Sequence, residues 1–183
     1  MFHRSERLLL RPIWPEDWRD LFGGIADEGV VRNLASVPWP YRESDARAFA
    51  SLPVEPHLPR FLVTRARDAA LIGCTGISAS EGEPGAVELG YWIARQHWGQ
   101  GYATEAARAV LEVARTLGHG RAVSSHFLDN PASGRVLEKL GFTATGIVAP
   151  RHSCGRGEMA MAREYALDLG EWRGTDGRPR EAA

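Results

Sequence analysis

The chain has 183 residues, 44% of them hydrophobic and 25% charged, with 22 Lys and Arg against 23 Asp and Glu. A chain of this size buries roughly 70% of its unfolded surface and can fill one core. Its balanced charge gathers no nucleic-acid phosphates, and no stretch approaches the ~20 apolar residues of a membrane span, so neither nucleic acid nor membrane is an expected partner.

The opening residues place Leu8, Leu9 and Leu10 among mixed charges, too short and too polar a run for a signal peptide. Cys74 and Cys154 form neither a metal pair nor a disulfide framework, and both readings fit a reducing cytoplasm. Residues 7–13 read as a strand. Trp14, Pro15, Glu16 and Asp17 then open a helix to about Gly23, since proline is tolerated in a first turn and acids complement the helix dipole. From residue 27 to residue 52 a helical pattern is interrupted by Ser36, Val37, Pro38, Trp39 and Pro40, giving two short helices around an aromatic loop. Residues 60–66, 70–80 and 86–94 are apolar, β-branched runs divided by turn signals, as in an antiparallel meander. Residues 102–117 form a helix with small residues on one face, and 122–128 a strand. Asn130 and Pro131 open a helix that Gly141 closes, and 142–149 with 159–167 make a last hairpin. Past Gly170 the chain turns polar and rich in Gly and Pro, so one domain is expected over 1–169, with a disordered tail over 170–183.

The loop from Gln96 to Thr104 joins a strand end to the start of a long helix. Gly99 and Gly101 free the backbone to approach a ligand, and the unpaired N–H groups of the first helical turn face outward at the positive dipole end. A diphosphate would be held by the amides of Gln100, Gly101, Tyr102, Ala103 and Thr104. No Gly-Lys-Ser/Thr follows, which excludes a P-loop, and Thr104 stands where a dinucleotide fingerprint needs its third glycine.

Gln96, Gly99 and Gly101 match the Gln/Arg-x-x-Gly-x-Gly/Ala motif, and the chain here resembles the GNAT superfamily of acyl-CoA N-acyltransferases. Glu88-Leu89-Gly90-Tyr91-Trp92-Ile93, the helix start from Gly101 to Ala106, Asn130-Pro131-Ala132-Ser133 and Leu140-Gly141-Phe142 resemble its RimJ/RimL branch, the ribosomal-protein N-terminal acetyltransferases. The opening Glu6-Arg7-Leu8-Leu9-Leu10-Arg11-Pro12 does so too, and the resemblance spans roughly residues 4 to 169. It implies an α+β fold, with a mixed, mostly antiparallel, splayed sheet flanked by helices. It implies acetyl-CoA as cosubstrate, with pantetheine held by backbone around Tyr91, Trp92 and Ile93 and by Asn130 and Ser133. Direct attack in a ternary complex on a protein N-terminal α-amine or a small-molecule amine is the implied reaction.

Glu88 shares a strand face with Gly90 and Trp92, opposite Leu89, Tyr91 and Ile93, so its charge in an apolar strand asks for a reason. It reads either as the general base or as a salt-bridged strand residue. Ser133 reads either as the acid that protonates the leaving thiolate or as a first-turn serine, and Asn130 as a helix cap whatever else it does. Glu105 reads as structural. Trp39, Tyr41 and Trp92 are candidates for the acceptor wall; an anionic wall would favour a polycation, and Glu28, Glu43 and Asp45 near the aromatic loop are too few to decide. His119, His126 and His152 show no ligand spacing, so no metal is expected. No Cys/His arrangement is visible, which argues against an acyl-enzyme. A non-catalytic acyl-CoA sensor and an acetyltransferase for aminoglycosides, polyamines or amino acids are the rival readings, and whether the chain works alone or as a homodimer is left open.

Overall fold

The computed structural model describes residues 1–174. In chain order its elements are β1 (His3–Arg4), β2 (Leu8–Pro12), a 3-10 turn (Pro15–Asp17), α1 (Trp18–Ile25), α2 (Glu28–Val31), α3 (Glu43–Ala50), β3 (Arg60–Arg65), β4 (Leu71–Ala79) and β5 (Val87–Ile93). A second 3-10 turn (Arg95–His97), α4 (Tyr102–Thr116), β6 (Arg121–Phe127), α5 (Pro131–Lys139), β7 (Thr143–Ser153) and β8 (Glu158–Asp168) follow. The strands form one open sheet in the order β1-β2-β3-β4-β5-β6-β8-β7. Neighbours are antiparallel except β5 and β6, whose parallel pairing needs the crossover that α4 supplies.

Strand alternation splits the core between the two faces of the sheet. Leu8, Leu10, Phe61, Val63, Ile72, Val87, Leu89 and Ala122 lie on the α4 side, where Ala106, Ala107, Val110, Leu111 and Ala114 are fully buried. The alanines let the helix approach the sheet closely, and burying a leucine such as Leu111 contributes roughly 1.5–3 kcal/mol. On the other face Leu62, Cys74 and Trp92 pack with Leu21, Ile25, Val31, Tyr41 and Ala46 of the α1–α3 region. The entry to α1 is fixed by Asp17, whose carboxylate takes a two-pronged contact from Arg11 (2.7 and 2.8 Å) and the Trp14 N–H at 2.8 Å. Burial alone would raise the Asp17 pKa, but these bonds and the Arg11 charge outweigh it and hold the carboxyl below its usual range.

Two expectations need correction. The last hairpin is longer than the sequence pattern suggests, because β7 continues through Pro150 to Ser153. It lies at the edge of the sheet, where a missing N–H costs the ladder nothing. The ordered chain also does not stop at Gly170: Trp172 is 7% exposed, its indole donates to the Leu140 carbonyl at 2.8 Å, and Arg115 donates to its carbonyl. The remainder of the expected tail, 175–183, lies outside the described residues.

Candidate active site

β5 and β6 pair at only two positions, Val87 with Ala122 and Glu88 with Val123, and then diverge. Ser124 Oγ fills the fork by donating to the Leu89 carbonyl at 3.0 Å, while Thr75 Oγ1 donates to Gly90 on the β4 side. Odd-numbered residues of β5 therefore turn their main chain toward β6. Past the fork, the N–H groups of Tyr91 and Ile93 line an open cleft. The Ile93 carbonyl is taken by the Trp98 indole at 2.6 Å, so Trp98, though 45% exposed, ties the loop to the strand end.

At the outer end of this cleft, Gly99 (φ +74°) and Gly101 (φ +80°) carry the chain into α4. Both lie in the left-handed region that glycine enters without strain. A Cβ on Gly99 would meet nothing, and one on Gly101 only the tip of Arg7 at 3.5 Å, so the approach to the amides of the first turn is open. Gln96 is exposed in the preceding turn, where its carbonyl accepts from Gln100 Nε2. The loop is braced from β2. Arg7 donates to the Gln100 carbonyl (3.0 Å) and to Glu105 (2.7 Å), whose other oxygen accepts from the Arg7 N–H and Ser5 Oγ. Burial would raise the Glu105 pKa, but the bonds from Ser5 and Arg7 and the Arg7 charge outweigh it and lower the pKa. Glu105 is thus committed to the brace and turned from the loop's open side.

Across the cleft from β5, Asn130 caps α5, its side chain accepting from the Ser133 N–H at 3.3 Å. Gly134 lets α5 approach β6, since a Cβ there would stand 2.7 Å from His126. The helix start brings Ser133 Oγ to 2.8 Å from the Tyr91 hydroxyl, close enough for either to donate. Burial pushes the Tyr91 pKa up to about 12 against the pull of that hydrogen bond, so the phenol stays protonated at neutral pH.

On the opposite face of the sheet a cavity of about 800 Å³ opens from the fork. Its wall includes Glu88, Trp92, Tyr41, Leu21 and Ser133, together with Arg151. Trp92 and Tyr41 are both 9% exposed. Tyr41 stacks on Phe22, and burial, with the Asp45 charge, pushes its pKa up to about 12. Trp39 does not join the wall: the loop bends at Trp39 and Pro40, turning Tyr41 inward and leaving the indole 39% exposed. No anionic wall forms from Glu28, Glu43 and Asp45 either, none of which lines the cavity. Glu43 faces Arg47, and Asp45 accepts the Arg42 N–H at the start of α3.

Glu88 is both salt-bridged and open to the cavity. Its Oε1 lies 2.6 Å from Arg151 Nη2, and the two side chains keep 26% and 38% of their surfaces exposed. Arg151 was not singled out from the sequence, because it follows Pro150 beyond the expected strand end. His126 and His152 also line the cavity, while His119 contacts the His57 carbonyl. His152 Nδ1 lies 3.9 Å from Cys154 Sγ, a Cys/His pair two residues apart at the end of β7. Cys74 is buried, and that burial pushes its thiol pKa up, away from the reactive thiolate. Among the described residues no three His, Cys, Asp or Glu side chains converge to hold a metal ion, and no helix is long and apolar enough to cross a membrane.

Residues 7–143 match the family model of the acetyltransferase (GNAT) domain. The chain is 31% identical over 150 residues to the uncharacterized N-acetyltransferase YoaA of Bacillus subtilis, covering 79% of this chain and 84% of that protein. In fold it is similar to a GNAT-family acetyltransferase from Bacillus anthracis, with TM-score 0.80 at 25% identity over 93% of this chain and 100% of that one. It also resembles RimL, a ribosomal L7/L12 α-N-protein acetyltransferase solved with coenzyme A, with TM-score 0.77 at 20% identity over 92% and 98% of the two chains.

Proposed function

The chain belongs to the GNAT acetyltransferase family, and from that premise we propose that it moves the acetyl group of acetyl-CoA directly to an α-amine in a ternary complex. The observation that carries this reading is the fork. The parallel pairing of β5 and β6 ends at Glu88, leaving a cleft with an anion-binding helix start at one end and a carboxylate-bearing cavity at the other.

In this reading the amides of Gln100 to Thr104 hold the pyrophosphate, assisted by the positive end of α4, while Gln96 and Gly99 shape the loop. The pantetheine runs between β5 and β6, against main chain from Tyr91 to Ile93 and the side-chain amide that Asn130 keeps free. The acceptor enters from the cavity beside Trp92 and Tyr41. Glu88 takes the proton of its ammonium, and the amine nitrogen bonds to the thioester carbon. Backbone N–H groups at Tyr91 and Ile93 stabilise the oxyanion as it develops. The attacking nitrogen sheds its second proton as the amide forms. When the carbon–sulfur bond breaks, the Ser133 hydroxyl gives its proton to the thiolate, and that second proton, relayed through the Tyr91 hydroxyl 2.8 Å away, restores it. With a thiol pKa near 8.5, that acid supplies only about 2 kcal/mol at pH 7.

Amine chemistry favours the α-amine. Holding a lysine near pKa 10.4 neutral at pH 7 costs roughly 4.6 kcal/mol, against about 1 for an α-amine near 7.7–8.0. Thiol release from acetyl-CoA, measured across peptides with free or blocked α-amines and across small amines, tests the reading. Release should depend on a free α-amine and yield one acetylated product per thiol. Cosubstrate binding without release for any amine would instead make the chain an acyl-CoA sensor.

A further inference from the structure

Arg151 belongs to β7, yet its guanidinium reaches past β8 to Ser125 of β6 and Glu88 of β5. On the cavity face of the sheet β8 presents Ala160 and Ala162, paired with Arg151 of β7 and Phe127 of β6. These small side chains leave a path across β8 for the arginine, whose Nη1 lies 2.6 Å from Ser125 Oγ and whose Nη2 lies 2.6 Å from Glu88 Oε1. A guanidinium carries five N–H donors. Two of them meet these partners, and the side chain remains 38% exposed along the cavity wall.

The pairing constrains what can be acetylated. Glu88 and Arg151 together present no net charge, and the other two acidic and basic side chains of the cavity wall, Glu81 and Arg60, also balance, so neither a simple ammonium nor a polycation meets a net negative wall. Opening the pair without replacement leaves two partly buried charges uncompensated, which is costly. An acceptor carrying its own carboxylate avoids that cost, because its ammonium faces Glu88 while its carboxylate takes the guanidinium in a two-pronged contact. We infer that Arg151 selects acceptors that bear a carboxylate close to the reacting amine, and that by accepting this carboxylate it frees Glu88 for the amine. Arg60 is less suited to this role, since its Nη2 donates to the Pro53 carbonyl and its guanidinium lies 5.7 Å from the Phe49 ring centre.

The inference rests on the acetyl-transfer reading and on Glu88 facing the amine. Its test compares matched acceptors at saturating acetyl-CoA: Ser-Glu amide against Ser-Gln amide for a side-chain carboxylate, and free serine against serinamide for an α-carboxylate. The carboxylate-bearing member of at least one pair should show a kcat/KM higher by about 10-fold or more, the worth of a charge-assisted contact, carried mainly by KM. Whichever pair responds identifies the source of the carboxylate. In Arg151→Gln the preference should fall to near unity while acetyl-CoA affinity, measured by calorimetry, stays at the wild-type value. Arg151→Lys, which keeps the charge but not the fork, should recover part of it. Absence of preference in both pairs, or a preference that survives in Arg151→Gln, overturns the inference. If no amine releases thiol, the acetyl-transfer reading fails by itself. Calorimetric titration with the N-acetylated dipeptide amides then decides Arg151 on the same criterion.

Discussion

The two ends of the cleft are built in different ways. At the proposed cofactor end the groups offered for recognition are main-chain amides on a loop and a helix start, and the side chains behind them, Arg7, Glu105 and Ser5, brace the backbone from outside. At the acceptor end the groups are side chains brought together across the sheet: Glu88 of β5, Ser125 of β6 and Arg151 of β7. The wall above them is closed by similar long-range contacts. Asp129 holds both Arg32 and Arg156, and Ser153 and Cys154 bond to the carbonyls of Leu34 and Ala35. A backbone site suits a ligand part that is the same in every reaction. A site made of side chains can change its acceptor by point substitution while the cofactor end stays intact.

That contrast breaks first at Glu88. Glu88→Gln should lose about 10²–10⁴-fold in turnover near neutral pH, the usual worth of a positioned base, with acetyl-CoA affinity unchanged. The loss should shrink as pH rises past the pKa of the amine, because the acceptor is then already neutral. A variant equally impaired at every pH would assign Glu88 to acceptor binding instead.

Asp17 comes next, since it fixes the entry to α1 and with it Leu21 and Ile25 of the cavity wall. Asp17→Asn should destabilise the fold by roughly 3 kcal/mol at pH 7 by leaving Arg11 without its carboxylate. The folded carboxyl lies below its unfolded value near 3.9, so its contribution is fully present above that value and disappears as pH falls through the folded one. Melting curves should therefore show the wild type losing its advantage over the variant below about pH 4. A gap of constant size down to pH 2 would contradict the ion-pair account.

Gly101→Val probes the other end. Holding a β-branched residue at φ +80° costs roughly 1–3 kcal/mol, so acetyl-CoA affinity should fall about 10–100-fold, read by calorimetry. Equal affinity would remove the pyrophosphate from this loop. The smallest effect is expected at Cys154: despite His152 at 3.9 Å, Cys154→Ser should keep turnover within about two-fold. A stable, stoichiometric acetyl adduct on Cys154, found by intact-mass measurement after exposure to acetyl-CoA alone, would sink that expectation.

The same contrast decides what was legible in the sequence. Gln96, Gly99, Gly101 and the alanines of α4 lie in one continuous stretch, where turn chemistry and helical spacing carry the information locally. Strand alternation also put Glu88 and Trp92 on one face, and both line the cavity. Arg151 could not be found that way, because its reach depends on the order β6-β8-β7, which no local pattern encodes. Pro150 marks a strand end only if β7 is not at the sheet edge. A usable signal was the alternation of Met159, Ala160, Met161 and Ala162, which reserves one face of β8 for small residues. The direction of Trp39 was illegible for another reason: an aromatic between prolines reads the same whether the loop turns it inward or outward.

Direct transfer between the two ends requires both substrates to be bound at once. Initial rates over a grid of acetyl-CoA and α-amine peptide concentrations test this most directly. The account predicts intersecting double-reciprocal lines, with no thiol released until the amine is added. Parallel lines, with one equivalent of thiol released by acetyl-CoA alone, would show an acyl-enzyme and contradict it.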